Sequence, residues 1–571
     1  MYTLNPAHRQ HASASRDWHG LWAAGLALGW LLAPYPDFAR DAWCACAFMG
    51  IALALLWRTR GPWALPADFA VWLLLPLVPL VQWALGLIYF AGVAWMACAY
   101  LAGFALALWC GHRCESVAPG RGLDALFAAV GLAALLTVGM QCLQWLGHAG
   151  SAQWWLDLDG PQRPAGNFAQ PNIAATFLCW GLCALAWAAA QRRLGYWSAT
   201  ALAACLLWGV ALTGSRTAWL GLTLVLLGTL QWRTLLPSRN VLWLVLALAL
   251  YFVLCVVLVA TLHFGVDEQT VTSSSSAHAR LVIWRMALQA LADQPLQGFG
   301  WGQIYAAQLA VAERFPAMVT YFISAHNLVL DLLLWNGVLL GAGLVWAGGR
   351  WLLRLLPQVC TVQDMVLVFF VVFALNHAML EMPLQYACML LPLAWVLGAL
   401  HQRLDALPQR QMLIPRAGVG SAVAAVAALL TLIVADYAHL EQSRQDGPNF
   451  ALAPLQQQQP LPDVLLLTHL RASLEMAEYP VLQAPITANE LQRLEAIATW
   501  SPQHAASRKV AAALAMNGQA ERARWWLVRT CKLGAPERCT QAQAAWELDG
   551  RSYPDIATIA WPDATPAAPA P

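Results

Sequence analysis

His326 and Asn327 open a long apolar run, Leu328 to Trp346, directly after a polar stretch of residues 264–325 that carries its own arginines. An imidazole, with an ordinary pKa of about 6.5, is the side chain best suited to take a proton near neutral pH, and the positive end of a following helix helps keep it unprotonated. The placement puts a titratable ring at a membrane surface, where a water-soluble group meets a lipid-linked one. A lone histidine at a helix start is also commonly an interfacial polar residue.

Arginines supply the second kind of chemistry. Arg216 sits in the turn Thr213-Gly214-Ser215-Arg216-Thr217 between two short apolar runs, which pins its guanidinium at one membrane surface, as a phosphate ligand or as a snorkelling anchor. Arg280 and Arg285 fall on a helical pattern five residues apart, so they do not share a face and at most one points at a common site. A planar guanidinium grips phosphate oxygens bidentately, so arginines near a histidine point to a lipid-pyrophosphate headgroup.

Other polar residues stand at span ends. Asp331, one turn after Asn327, is an ionisable group in apolar sequence and needs a partner, for which an arginine or His326 is the natural candidate. His377 and Glu381 are spaced i,i+4 on one helical face, which favours a structural hydrogen bond over direct catalysis. In Gly166 to Asn172, the amides Gln170 and Asn172 flank a proline at a helix start and serve as caps or as sugar ligands. Asp157 and Asp159 match a D-x-D pattern of metal-dependent glycosyltransferases, but no His/Cys/carboxylate cluster accompanies them, so neither a metal nor another cofactor is expected.

The elements that must position these residues are membrane helices. The chain is 60% hydrophobic and 11% charged over 571 residues, too apolar for a soluble protein, and its net charge of +2 includes no basic block, which excludes a nucleic-acid footprint. Thirteen spans are expected, near 19–35, 42–57, 69–83, 86–109, 124–146, 171–190, 198–213, 217–232, 241–263, 327–348, 364–380, 384–400 and 417–436. The first eighteen residues are polar without an apolar signal core, so the first run is expected to be a retained span.

Most arginines then fall in cytoplasmic segments if the N-terminus is inside, including Arg58, Arg60, Arg192, Arg193, Arg350 and Arg354. Before the C-terminal region, the opposite side holds Arg40, Arg163, Arg216, Arg280, Arg285 and Arg314. That orientation makes 1–436 a transmembrane domain and puts both the 264–325 loop and residues 437–571 outside. The 31 tryptophans are read as interfacial anchors and packing residues in preference to sugar-stacking platforms.

Within the loop, a Ser/Thr-rich lead from Thr270 to Ser276 precedes an amphipathic helix, Ala277 to Ala292, whose Leu281, Trp284, Leu288 and Leu291 recur at helical spacing along the membrane surface. Beyond Tyr437, a Gln456 to Gln459 linker leads to two helices, Ser501 to Met516 and Gln519 to Leu533, around an Asn517-Gly518 turn. This reads as one tetratricopeptide-like hairpin, followed by a disordered Ala/Pro tail from Pro562. Cys531 and Cys539 fit a small disulfide loop in an oxidising compartment, or two free thiols.

Several of these segments together resemble the O-antigen ligase and polymerase superfamily, in particular the PglL-type bacterial O-oligosaccharyltransferases. Ser324 to Asn327 followed by Asn336-Gly337 resembles the central motif. Ala279 to Trp284 and Pro295 to Gly300 resemble the approach to it, and Gly214-Ser215-Arg216 resembles the other outer arginine turn. Gly166 to Asn172 and His377 to Tyr386 resemble the two flanking signatures of the protein-glycosylating branch.

The resemblance implies an all-α polytopic enzyme of the bacterial inner membrane with its site on the periplasmic face. Its donor would be an oligosaccharide on undecaprenyl pyrophosphate, and its acceptor a serine or threonine of a periplasmic protein such as a pilin. His326 would be the base, with Arg216 and Arg280, and less directly Arg285, at the pyrophosphate. Gln170, Asn172, Asn327 and Tyr386 would orient sugar or acceptor, with Asp331, His377 and Glu381 in support. An O-antigen ligase acting on lipopolysaccharide core, a glycan polymerase, and a lipid-linked sugar transporter are the alternatives. A transporter is expected to show internal repeats and mid-membrane polar residues, and no such repeat is evident.

Overall fold

The structure is a computed structural model that describes residues 6–32, 37–147, 163–262, 274–318, 321–404, 411–446, 461–479, 485–500 and 504–562. Asp157, Asp159, the Thr270 to Ser273 part of the Ser/Thr-rich lead, the Gln456 to Gln459 run and residues 563–571 of the tail lie outside this set. The described chain is almost wholly helical. Each expected span falls on a helix or a run of short helices, and nine of the described helices are long and apolar enough to cross a membrane. Tyr196–Leu212 and Val362–Ala378 are shorter apolar helices. A departure from the all-helical expectation is a two-stranded antiparallel ribbon, Trp63–Pro66 with Gln411–Ile414.

The chain forms two compact units. The first comprises the described parts of Met1–Leu75, Tyr100–Ser273 and Gly348–Leu430, and the second those of Pro76–Ala99, Ser274–Ala347 and Thr431–Pro571. One division falls between Leu430 and Thr431, close to residue 436, and the second unit also takes in Pro76–Ala99 and Ser274–Ala347.

The first unit is a helical bundle with tryptophan at its centre. Trp30, Trp180, Trp187 and Trp395 are fully buried. Buried indole N–H groups must find acceptors. Trp180 Nε1 donates to the Phe370 carbonyl (3.0 Å), with its ring stacked on Phe370 at 4.0 Å, and Trp30 Nε1 donates to the Cys388 carbonyl (3.0 Å). These tryptophans serve helix packing.

In the second unit the C-terminal helices pack with the expected outer loop. The turn at Asn517-Gly518 joins His504–Met516 to Ala520–Lys532, as expected, and Thr468–Glu478, Ala488–Trp500 and Pro536–Ser552 add helices that were not expected. Arg529 donates to the Leu309 carbonyl (2.8 Å) and to Glu313 (2.7 Å). The Met318 N–H donates to the Lys532 carbonyl (2.7 Å), beside the disulfide that joins Cys531 and Cys539. Asp436, within helix Arg416–Asp446, accepts from the N–H groups of Leu465, Leu466 and Leu467 at 2.6–3.0 Å and so holds the segment that leads into helix Thr468–Glu478.

The loop helix runs from Ser274 to Asp293. Its packed face is Ile283, Met286, Ala287 and Ala290, while Leu281 and Leu288 are about half exposed. Of the expected stripe Leu281, Trp284, Leu288 and Leu291, Leu291 is buried and Trp284 half-buried, while Leu281 and Leu288 face outward. Both faces carry apolar residues, and tertiary packing decides which of them is covered.

Candidate active site

His326 occupies a left-handed backbone conformation (φ 54°), rare for a residue with a side chain. Local hydrogen bonds hold it there. Its N–H donates to Ser324 Oγ (3.0 Å), whose own hydroxyl donates to Asp331 Oδ2 (2.6 Å). Asp331 Oδ1 accepts from the Ala325 N–H (2.7 Å). The partner of this buried carboxylate is thus the turn that carries His326. The expected arginine or imidazole partner gives way because a carboxylate one turn into the helix reaches back to satisfy the loop at its N-terminus.

His326 Nδ1 lies 3.1 Å from the Ser324 carbonyl. A carbonyl only accepts, so in this hydrogen bond Nδ1 carries the proton and the neutral ring keeps its lone pair on Nε2. Phe322 packs edge-on against the ring at 5.2 Å between centroids. Asn327 Oδ1 accepts from the N–H groups of Val329 (3.1 Å) and Leu330 (3.2 Å), capping helix Leu328–Leu355.

The loop helix touches the same turn. Trp284 Nε1 donates to the Ala325 carbonyl (2.9 Å), and Arg280, four residues earlier, shares the Trp284 face. Arg280 is half-buried, whereas Arg285 is exposed. Below the turn, helix Leu328–Leu355 breaks at Gly337 (φ 71°, ψ 174°). The segment Pro295 to Gly300 enters the break: the Phe299 N–H donates to the Leu334 carbonyl (2.7 Å) and the Val338 N–H to the Pro295 carbonyl (2.7 Å). A Cβ on Gly337 would stand 2.1 Å from the Leu296 carbonyl oxygen. Gln82 completes the joint by donating to the Trp335 carbonyl (2.8 Å) and accepting from the Trp301 N–H (2.9 Å).

The remaining candidates belong to the first unit. Ser215 caps helix Arg216–Gln231, placing an exposed Arg216 at its first position, and Asn376 Nδ2 ties that turn down through the Thr217 carbonyl (2.8 Å). Arg163, which the sequence identified only as an outer arginine, donates to the Gly214 carbonyl (3.3 Å). Burial pulls its guanidinium below its ordinary pKa. The Glu381 carboxylate opposes that shift and the Arg216 cation adds to it, so the three charges lie within electrostatic reach of one another. This cluster was missed because Arg163 and Arg216 are far apart in sequence.

Glu381 is buried and accepts from Asn172 Nδ2 (3.2 Å), and His377 Nδ1 lies 2.8 Å from Thr176 Oγ1. Both residues of the i,i+4 pair thus reach helix Pro171–Ala190. Gln170 is the N-cap of that helix, accepting from the Ile173 N–H (3.0 Å). Gln144 holds the preceding segment by accepting from the N–H groups of Ala165 (3.1 Å) and Gly166 (2.8 Å). Tyr386 is half-buried against the apolar core at the start of helix Ala387–Leu404. Among the described residues, no group of three or more His, Cys, Asp or Glu side chains is placed to hold a metal ion.

Known proteins share these segments. Residues 201–345 match the O-antigen ligase family, residues 164–187 the protein glycosylation ligase family, and residues 365–548 the C-terminal region of the virulence factor membrane-bound polymerase family. The last match extends beyond residue 437, a region that none of the family-like segments of the sequence reached. The chain is 32% identical over 437 residues to a general O-oligosaccharyltransferase of Acinetobacter baylyi, covering 73% of this chain and 75% of the relative. It is 30% identical over 239 residues to a ComP-specific O-oligosaccharyltransferase of the same organism, covering 41% and 43%.

Proposed function

The chain belongs to the O-oligosaccharyltransferases of the O-antigen ligase and polymerase superfamily, membrane-bound glycosyltransferases, and from that premise we propose that it moves an oligosaccharide en bloc from undecaprenyl pyrophosphate to a serine or threonine of a periplasmic protein such as a pilin. In this reading His326 Nε2 takes the acceptor hydroxyl proton as the oxygen attacks the anomeric carbon. The bond from that carbon to the pyrophosphate oxygen breaks, and the lipid pyrophosphate leaves with the electron pair. One displacement inverts the anomeric carbon, and no nucleophilic side chain is needed.

The observation that carries the reading is the Nδ1 contact of His326 to the Ser324 carbonyl, which leaves Nε2 as the basic nitrogen. Arg216 and Arg280 are assigned to the departing pyrophosphate, where guanidinium forks stabilise developing charge without a metal. Gln170, Asn172, Asn327 and Tyr386 are assigned to orientation, with Arg285 peripheral. The Cys531–Cys539 disulfide supports a periplasmic site in the inner membrane, because such bonds persist in oxidising compartments.

The test is transfer by the purified protein from an undecaprenyl-pyrophosphate glycan to a pilin, compared with transfer to lipopolysaccharide core. The match of residues 201–345 to O-antigen ligases makes core lipid the second reading. Glycan on core and none on pilin overturns the first. Activity that requires added magnesium or manganese after chelation overturns the assignment of the arginines.

A further inference from the structure

In the second unit, helix Ile304–Val311 is buried at every residue but Ala310, and its polar Gln308 is buried with the rest. Tyr305 and Gln308, three residues apart, share a face of this helix. That face meets the segment leading into His326. Gln308 Oε1 accepts from the Phe322 N–H (3.0 Å), the Phe322 ring packs edge-on against the imidazole, and Tyr305 meets Tyr321 edge-on at 5.8 Å.

The C-terminal helices hold the same segment from its other end. Arg529 donates to the carbonyl of Leu309, the residue after Gln308, and to Glu313. Lys532 Nζ donates to the Phe315 carbonyl (3.0 Å), and the Lys532 carbonyl accepts from the Met318 N–H. All these bonds come from the last turn of helix Ala520–Lys532, which the Cys531–Cys539 disulfide ties to helix Pro536–Ser552. Arg529 itself is buried, with its guanidinium 3.4 Å from the centre of the Trp525 ring.

We propose that Arg529 is a positioning residue for His326. It fixes helix Ile304–Val311, and that helix fixes the imidazole through Gln308 and Phe322. The C-terminal helices are then a working part of the catalytic centre, and the disulfide supports turnover although neither cysteine touches a substrate. The inference rests on the reading of His326 as the general base. Removing the guanidinium leaves the buried Leu309 carbonyl without its donor and frees the helix to shift, and a displacement of about 1 Å at a catalytic group costs roughly a hundredfold in rate.

Transfer from an undecaprenyl-pyrophosphate glycan to a pilin is measured, well below each protein's melting temperature, for wild type, Arg529→Ala, Arg529→Lys and Cys531→Ser/Cys539→Ser. In Arg529→Ala, kcat should fall roughly ten- to hundredfold with the KM of donor and acceptor little changed. Arg529→Lys should recover part of the loss, since it keeps the charge but not the fork that reaches two acceptors. The double serine variant should lose kcat in the same direction. Gln308→Met, of similar volume and without a buried charge to strand, cuts the path at its other end and should reproduce the fall even if Arg529→Ala does not fold.

The same substitutions in a His326→Ala background decide the matter. If Arg529 and Gln308 act through the imidazole, removing either from a protein that already lacks it costs nothing further. Equal falls in both backgrounds overturn the proposal alone, as does a raised acceptor KM at unchanged kcat, which would make the C-terminal helices an acceptor dock. A near wild-type rate in His326→Ala itself overturns the base reading, and the proposal with it.

Discussion

Asp331 accepts the Ser324 hydroxyl proton at 2.6 Å, and the same Ser324 oxygen accepts the N–H of His326, so a buried carboxylate one turn into a helix sets the backbone of the candidate base. Asp331→Asn replaces one of its two acceptor oxygens with a donor and should lower kcat by roughly ten- to hundredfold with little change in KM, the size expected when a catalytic group is displaced by a fraction of an ångström to an ångström. Ser324→Ala should behave alike, and Ser324→Thr, which restores the hydroxyl, should recover much of the loss. Wild-type kcat in both Asp331→Asn and Ser324→Ala would mean that the turn holds itself.

Arg163 is the residue that structure adds to the sequence reading of the anion site. Arg163→Ala should weaken donor use, seen as a raised donor KM, and Arg163→Lys should restore part of it, because the charge returns without the planar fork. Donor KM is the measurement. A normal value in Arg163→Ala would reduce Arg163 to a brace for the Gly214 turn.

Gly337→Ala should destabilise the second unit severely, by at least about 2 kcal/mol, since the left-handed φ and the approach of the Leu296 carbonyl both exclude a Cβ. Gly343→Ala is the control in the same helix, because nothing lies within 4 Å of where its Cβ would go. Thermal unfolding in detergent checks the pair. Equal melting temperatures would show that the break at Gly337 is not required.

Burial pulls the His469 imidazole down to about 3, so the folded state holds it neutral. A histidine whose folded pKa lies below its unfolded value of about 6.5 contributes stability above that value, and the contribution is lost as pH falls from about 6.5 toward 3. The second unit should therefore melt at progressively lower temperature on acidification. His469→Leu should flatten that dependence. Parallel pH profiles for the two proteins would show that other groups govern the acid transition.

Much of the candidate site's local geometry was readable because the residues that make it are close in sequence. Ser324 to Asp331 spans barely two turns, and the Gly214-Ser215-Arg216 turn announces itself by Gly and Ser at a helix start. What was unreadable depends on tertiary partners. The packed face of Ser274–Asp293 could not be chosen by periodicity, because Leu281 and Leu288 offered as good a stripe as Ile283, Met286, Ala287 and Ala290. Asp331 was assigned an ionic partner because an acidic group in an apolar run raises that expectation, whereas a hydroxyl and an N–H satisfy it at closer range. The seating of Pro295 to Gly300 in the Gly337 break left only the glycines as a trace, and the docking of Arg529 on Leu309 left none.

The central claim is that His326 is the general base, and its direct test is single-turnover transfer by His326→Ala with saturating lipid-linked donor and a hydroxyl acceptor. The account predicts a rate lower by roughly two to four orders of magnitude, the contribution of a positioned acid–base group, in a protein that inserts normally and binds the donor as wild type does. A rate near wild type in that variant would contradict it.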